Sequence, residues 1–182
     1  LSDDTLVHPP IEAVFTVDEE VGMDGAFALD CSDLKGRRLL NLDSEMEGVF
    51  TVSCAGGMRS DCFFPAALTP AEGMDVCKLT ISGLQGGHSG ADIHLGRGSA
   101  NRLMGRVLCA VLEKFPGLRL AAIDGGEFDN VICSRCEAAA ALPAGKGEAF
   151  AAFAREFDAA LKNEYAVTDP GVALECVPSS AD

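Results

Sequence analysis

The chain is 182 residues long, and its 48% hydrophobic and 23% charged content is that of a globular protein, not a disordered one. At this length a folded chain buries roughly 70% of its extended surface, so one generous domain or two small ones can form a core without staples. Fourteen Lys and Arg stand against 28 Asp and Glu, and the net charge of -14 argues against nucleic acid and anionic membrane surfaces as partners. No apolar run approaches the ~18 residues that a membrane span needs. Leu1 stands where an initiator Met is expected, which predicts an internal piece of a longer protein.

The chain has eight cysteines, at 31, 54, 62, 77, 109, 133, 136 and 176. Most lie in apolar segments, as in Leu108-Cys109-Ala110-Val111, and are expected to be buried free thiols in a reducing, cytoplasmic setting. Cys133-Ser-Arg-Cys136 has the spacing of a zinc or redox pair. A structural zinc site wants four ligands and no second pair follows, while an extended segment would turn the two sulfurs to opposite faces.

In chain order, Glu12–Val17 reads as a strand, followed by the acidic loop Asp18–Gly25 and a short helix from about Ala26. Arg38–Leu42 and Gly48–Ser53 read as two more strands, with nothing obvious to pair against, and Ala55-Gly56-Gly57 marks a boundary between domains at 1–56 and 57–182. Cys77–Ser82 alternates as a strand and leads into a glycine-rich loop. Leu103, Val107, Val111 and Phe115 then recur every four residues on one helical face, with Ser99 as N-cap and Pro116-Gly117 as the stop. Leu118–Ile123 and Arg135–Leu142 are strands, and Phe150, Phe153, Phe157 and Leu161 mark a helix over about 148–164. Val172–Val177 is a last strand. The order βαββαβ predicts a ferredoxin-like domain, two helices on one face of an antiparallel sheet, and the segment before it a piece of an α/β domain.

Two constellations carry candidate chemistry. Glu19-Glu20 and Asp43 stand at strand ends, where open α/β sheets place their sites, although from spacing alone a solvated acidic turn is the favoured reading of the first. In an adjacent pair of glutamates the side chains diverge, so one can bind a metal while the other takes a proton. In Gly83-Leu-Gln-Gly-Gly-His88-Ser-Gly90, glycines allow close approach to a ligand and His88 is a candidate hydrogen-bond donor; a hairpin with an incidental histidine is the simpler alternative. His94 alternates with Ile93 and Leu95 and reads as a strand or edge residue.

Phe15-Thr-Val-Asp-Glu-Glu-Val-Gly-Met-Asp-Gly-Ala26 resembles the central motif of M20-type metallopeptidases. Leu40-Asn-Leu-Asp-Ser-Glu45, Cys54-Ala-Gly-Gly57, Gly86-Gly-His-Ser-Gly90, Ile93-His-Leu-Gly-Arg-Gly98 and Asp124-Gly-Gly126 with Asn130-Val-Ile132 are similar to the aminoacyl-histidine dipeptidase branch of that family. The resemblance runs along nearly the whole chain. It implies part of an α/β zinc-peptidase catalytic domain followed by a ferredoxin-like lid, in a homodimeric enzyme that hydrolyses dipeptides such as Xaa-His. It implies Glu19 as general base, Glu20 as ligand to one zinc and Asp43 to the other. His88 would hold the tetrahedral oxyanion, in related dimers within the partner subunit's site, and Asn130 would contact substrate. The family's His-x-Asp motif, bridging aspartate and last histidine ligand have no counterpart here, so the chain alone is expected to be inactive and to bind zinc poorly. Ser99 and Cys133 stand where many relatives have Asn and Pro. The rival expectation, from another class, is a stand-alone dimerisation or small-ligand module without catalysis.

Overall fold

The computed structural model describes residues 5–42, 46–54, 56, 58 and 60–179. The chain divides into two compact units, Leu1–Phe63 and Phe64–Asp182. Asp43, and Ala55 and Gly57 of the expected boundary, lie outside the described residues.

The described residues of the first unit hold one short helix, α1 (Asp24–Phe27), and no strand. The strands expected over 12–17, 38–42 and 48–53 do not form. A strand exists only where a neighbour takes up its N–H and C=O groups, and no described segment of this unit supplies one. Their apolar side chains stand in solvent accordingly, Phe15 at 90% and Phe50 at 93% exposure.

The second unit is a ferredoxin-like βαββαβ fold. Its elements are β1 (Met74–Ser82), α2 (Ala100–Lys114), β2 (Arg119–Gly125), β3 (Cys136–Pro143), α3 (Gly147–Glu164) and β4 (Ala173–Ser179). The sheet runs β2-β3-β1-β4, antiparallel throughout, with a register break in β2 between Leu120 and Ala122. Alternation sets the inner face: Cys77, Leu79 and Ile81 of β1 sit opposite Ala140, Ala138 and Cys136 of β3, all buried. Alanine is a poor strand former, but here it leaves room for the helices that pack on these positions. Leu103, Met104, Val107 and Val111 of α2 and Phe150, Ala154 and Leu161 of α3 fill the core. Phe115 meets Phe150 edge to face at 5.5 Å and Phe153 at 6.0 Å.

The helix ends are held from the sheet. Ser99 is the N-cap of α2, but its side chain makes no capping bond; the Ala100 N–H donates instead to the Cys133 carbonyl at 2.8 Å. At the start of α3 the Asp75 carboxylate accepts the N–H groups of Gly145 (2.8 Å) and Gly147 (3.3 Å). Ile93–Leu95 is a 3-10 turn, not the strand expected around His94. Of the cysteines, Cys77, Cys133 and Cys136 are buried, whereas Cys31, Cys54, Cys62 and Cys109 are exposed. Cys109 departs from expectation because it lies off the buried Leu103–Val107–Val111 stripe of α2.

Phe150 is fully buried while Phe153 and Phe157 pack only partly against the core. Phe150→Ala is therefore expected to cost ~3–5 kcal/mol in chemical denaturation and Phe153→Ala less; equal losses would contradict this packing.

Arg106 grips Glu164 with both guanidinium arms, at 2.9 and 2.8 Å, linking α2 to α3 at a half-exposed position. That hydrogen bonding, opposed by slight burial, holds the Glu164 carboxyl below its ordinary range. A depressed carboxyl stabilises the fold above its unfolded pKa, and the contribution disappears as pH falls through the folded value. Glu164→Gln should lower stability by ~0.2–1 kcal/mol at neutral pH, and the gap should close in strong acid. A gap independent of pH would assign the effect to packing.

Candidate functional site

In the first unit, Glu19 and Glu20 occupy the tip of a closed turn, both exposed. The Asp18 carbonyl accepts the N–H of Met23 at 2.7 Å, and the Val17 carbonyl accepts that of Gly25 at 3.2 Å. A Cβ at Gly25 would come within 2.5 Å of the Val17 nitrogen, so only glycine closes this turn. Asp18 and Met23 hold positive φ angles of 60° and 62°, a costly conformation for methionine. Glu12, which the sequence did not single out, accepts the N–H of Lys35 at 2.9 Å and that of Gly36 at 2.5 Å.

In the second unit the glycine loop after β1 pairs with the segment after β2. Ser89 N–H donates to the Asn130 carbonyl at 2.7 Å, Ile132 N–H to the Gly87 carbonyl at 2.8 Å, and His88 bridges Val131 antiparallel. Two segments distant in sequence thus place His88 and Asn130 side by side. Beside them a cavity of about 340 Å³ is lined by Asp124, Glu127, Phe128, Val131, Arg135 and Glu137. Lys78, at 2.7 Å, and then Arg135, at 2.6 Å, hold the Glu137 carboxyl below the usual range. A larger opening of about 650 Å³ lies at the other end of β1, beside Asp75 and Glu148, away from His88.

Three side chains hold this loop, and the sequence reading gave none of them that role. Asp169 is fully buried; its carboxylate accepts the N–H of Gln85 and of Gly98, each at 2.8 Å, closing the neck of the loop. Asp92 accepts the His88 N–H at 3.0 Å, and Arg97 donates to the Gly86 carbonyl at 2.8 Å. The only sequence signal for the first was the Asp169-Pro-Gly171 turn motif.

Among the described residues no group of three or more His, Cys, Asp or Glu side chains is gathered to hold a metal ion. Of the Cys133–Cys136 pair, the Cys133 thiol donates to the Arg135 carbonyl at 3.0 Å, and burial pushes the Cys136 thiol up to about 11. Burial likewise pushes Cys176 up to about 12, next to Cys77.

The profile of the peptidase dimerisation domain of the M20 family matches residues 79–169, which span α2 to α3 and the whole loop of His88. The chain belongs to this family. It is 40% identical to the cytosol non-specific dipeptidase of Escherichia coli over 176 residues, 96% of this chain and 36% of that protein. It also resembles the aminoacylhistidine dipeptidase of Vibrio alginolyticus, with a TM-score of 0.64 and 34% identity over 92% of this chain and 34% of that one. The M20 chain therefore spans about a third of the length of these relatives.

The chain as it stands is expected to take up no stoichiometric zinc in calorimetry, because no group of three or more candidate ligands gathers around Glu20 among the described residues. Tight binding would show that a ligand set exists outside those residues.

Proposed function

We propose that this chain is the lid and part of the catalytic domain of an M20 dipeptidase, acting on dipeptides that include Xaa-His. The observation that carries the reading is 40% identity to a cytosol dipeptidase across 96% of the chain, with the His88–Val131 bridge and the Ser89–Asn130 bond inside the matched family segment. It favours the peptidase over a stand-alone binding module. Residues 1–56 would belong to the catalytic part and 57–182 to the lid.

In this reading Glu19 takes a proton from the attacking water and returns it to the leaving amine. His88 donates to the oxygen that becomes negative as the tetrahedral intermediate forms, and Asn130 holds polar groups of the substrate. Glu20 and Asp43 are the zinc ligands that the resemblance implies. The donors described in this chain do not by themselves compose a zinc site; beyond those two ligands its contribution is proton transfer and hydrogen bonding. The setting we infer is the cytoplasm, in keeping with eight unpaired cysteines. The assembly we infer is a homodimer. β2 supports that inference as an exposed sheet edge, with Leu120 and Ile123 about half in solvent.

His88→Ala in the protein encoded by the complete reading frame should lower kcat by roughly 10²–10³ with little change in KM, the mark of an interaction made only in the transition state. Glu19→Ala should also abolish turnover. Mixing the two variants with confirmed subunit exchange decides where His88 acts. Recovered activity assigns it to the partner subunit's site, and none assigns it to its own. Near-normal kcat for His88→Ala would remove the histidine from the reaction.

A further inference from the structure

We propose that the loop after β1 locks His88 as its Nε2–H tautomer, and that Asp92 is the positioning residue of this lock. The inference deepens the reading of His88 as a donor, but the geometry stands without it. The Nδ1 atom of His88 accepts the backbone N–H groups of Gly90 and Ala91, each at 3.0 Å. A ring nitrogen that accepts cannot also carry the proton, so in the neutral ring the proton sits on Nε2.

Asp92 fastens this arrangement twice. Its carboxylate accepts the His88 N–H at 3.0 Å, and its own N–H donates to the His88 carbonyl at 3.0 Å. The same carboxylate lies 3.6 Å from Arg97, whose guanidinium holds the Gly86 carbonyl. Asp92 and Arg97 close around Gly87 so tightly that a Cβ there would sit 2.6 Å from each. Gly87 also has a φ of 130°, which side-chain-bearing residues rarely adopt. The loop is therefore a closed ring with the histidine tied at one nitrogen.

The consequence is chemical selectivity. A ring held as Nε2–H offers a donor to a carbonyl, carboxylate or oxyanion and offers no acceptor to an amine or hydroxyl. His8 supplies the opposite case within the same chain, its Nδ1 lying 2.8 Å from the Pro9 carbonyl, which calls for Nδ1–H. His94 is exposed and serves as the unconstrained reference.

Nitrogen NMR of the chain with labelled histidine, in mildly alkaline solution, reads the tautomers directly. The expected result is one pattern for His88, Nε2 protonated and Nδ1 bare, beside an averaged pattern for His94. In Asp92→Ala the His88 pattern should relax toward that of His94. Asp92→Asn should retain it, because its amide oxygen still accepts the His88 N–H. Unchanged thermal midpoints would separate this from loss of fold. An averaged or Nδ1–H pattern in the unaltered chain overturns the lock, whatever becomes of the variants. A wild-type pattern in a folded Asp92→Ala overturns the role of Asp92. A locked His88 whose removal leaves turnover intact would overturn the catalytic reading alone.

Discussion

Asp169 has no solvent exposure, and two backbone N–H groups, from Gln85 and Gly98, satisfy its carboxylate oxygens at 2.8 Å. Burying a polar group costs several kcal/mol unless it is paired, and the two amides would be equally orphaned without it. The residue is itself pinned: its N–H donates to the Tyr165 carbonyl at the end of α3, and its carbonyl accepts the Val172 N–H at the entry to β4. One side chain thus ties the α3–β4 turn to both ends of the loop that carries His88. The position of the histidine depends on the packing of α3 as much as on its own strand.

That packing rests on the two inner strands. β1 and β3 alternate buried residues under the helices, while β2 lies exposed at the edge and β4 is clasped by Asp158, which accepts the Leu174 N–H at 2.8 Å. Phe115, Phe150 and Phe153 join the end of α2 to the start of α3. The sheet therefore presents one covered face and two edge strands, β2 and β4, and an exposed edge is an arrangement that a second subunit can extend.

The periodic elements of the second unit were legible because their signals are local. The four-residue recurrence from Leu103 to Phe115 and the Phe150–Leu161 stripe name buried faces without reference to any partner. The strands read at 12–17, 38–42 and 48–53 failed for the opposite reason: composition favours extension there, but pairing is a non-local condition. The site divides in the same way. His88 and Asn130 were legible as motif residues, and the glycines announced a loop. Asp92 and Asp169 were not, since an aspartate that accepts backbone amides looks like any surface carboxylate until the chain returns to it.

The division between the two units has a physical logic. A donor that stabilises developing charge is useful only if it is already aimed, because reorganisation at the moment of reaction consumes what the hydrogen bond supplies. A glycine loop left to itself would pay that cost at every turnover. Here the backbone of Gly87 is bridged to that of Ile132, the neck is closed by Asp169, and the ring is held by two amides, so little freedom is left to lose. Glu19 and Glu20 sit on the contrary kind of element, an exposed turn fixed by main-chain bonds alone. The scaffolding side chains Asp92, Arg97 and Asp169 gather instead around the loop of His88, so that loop, not the acidic turn, is the pre-aimed element.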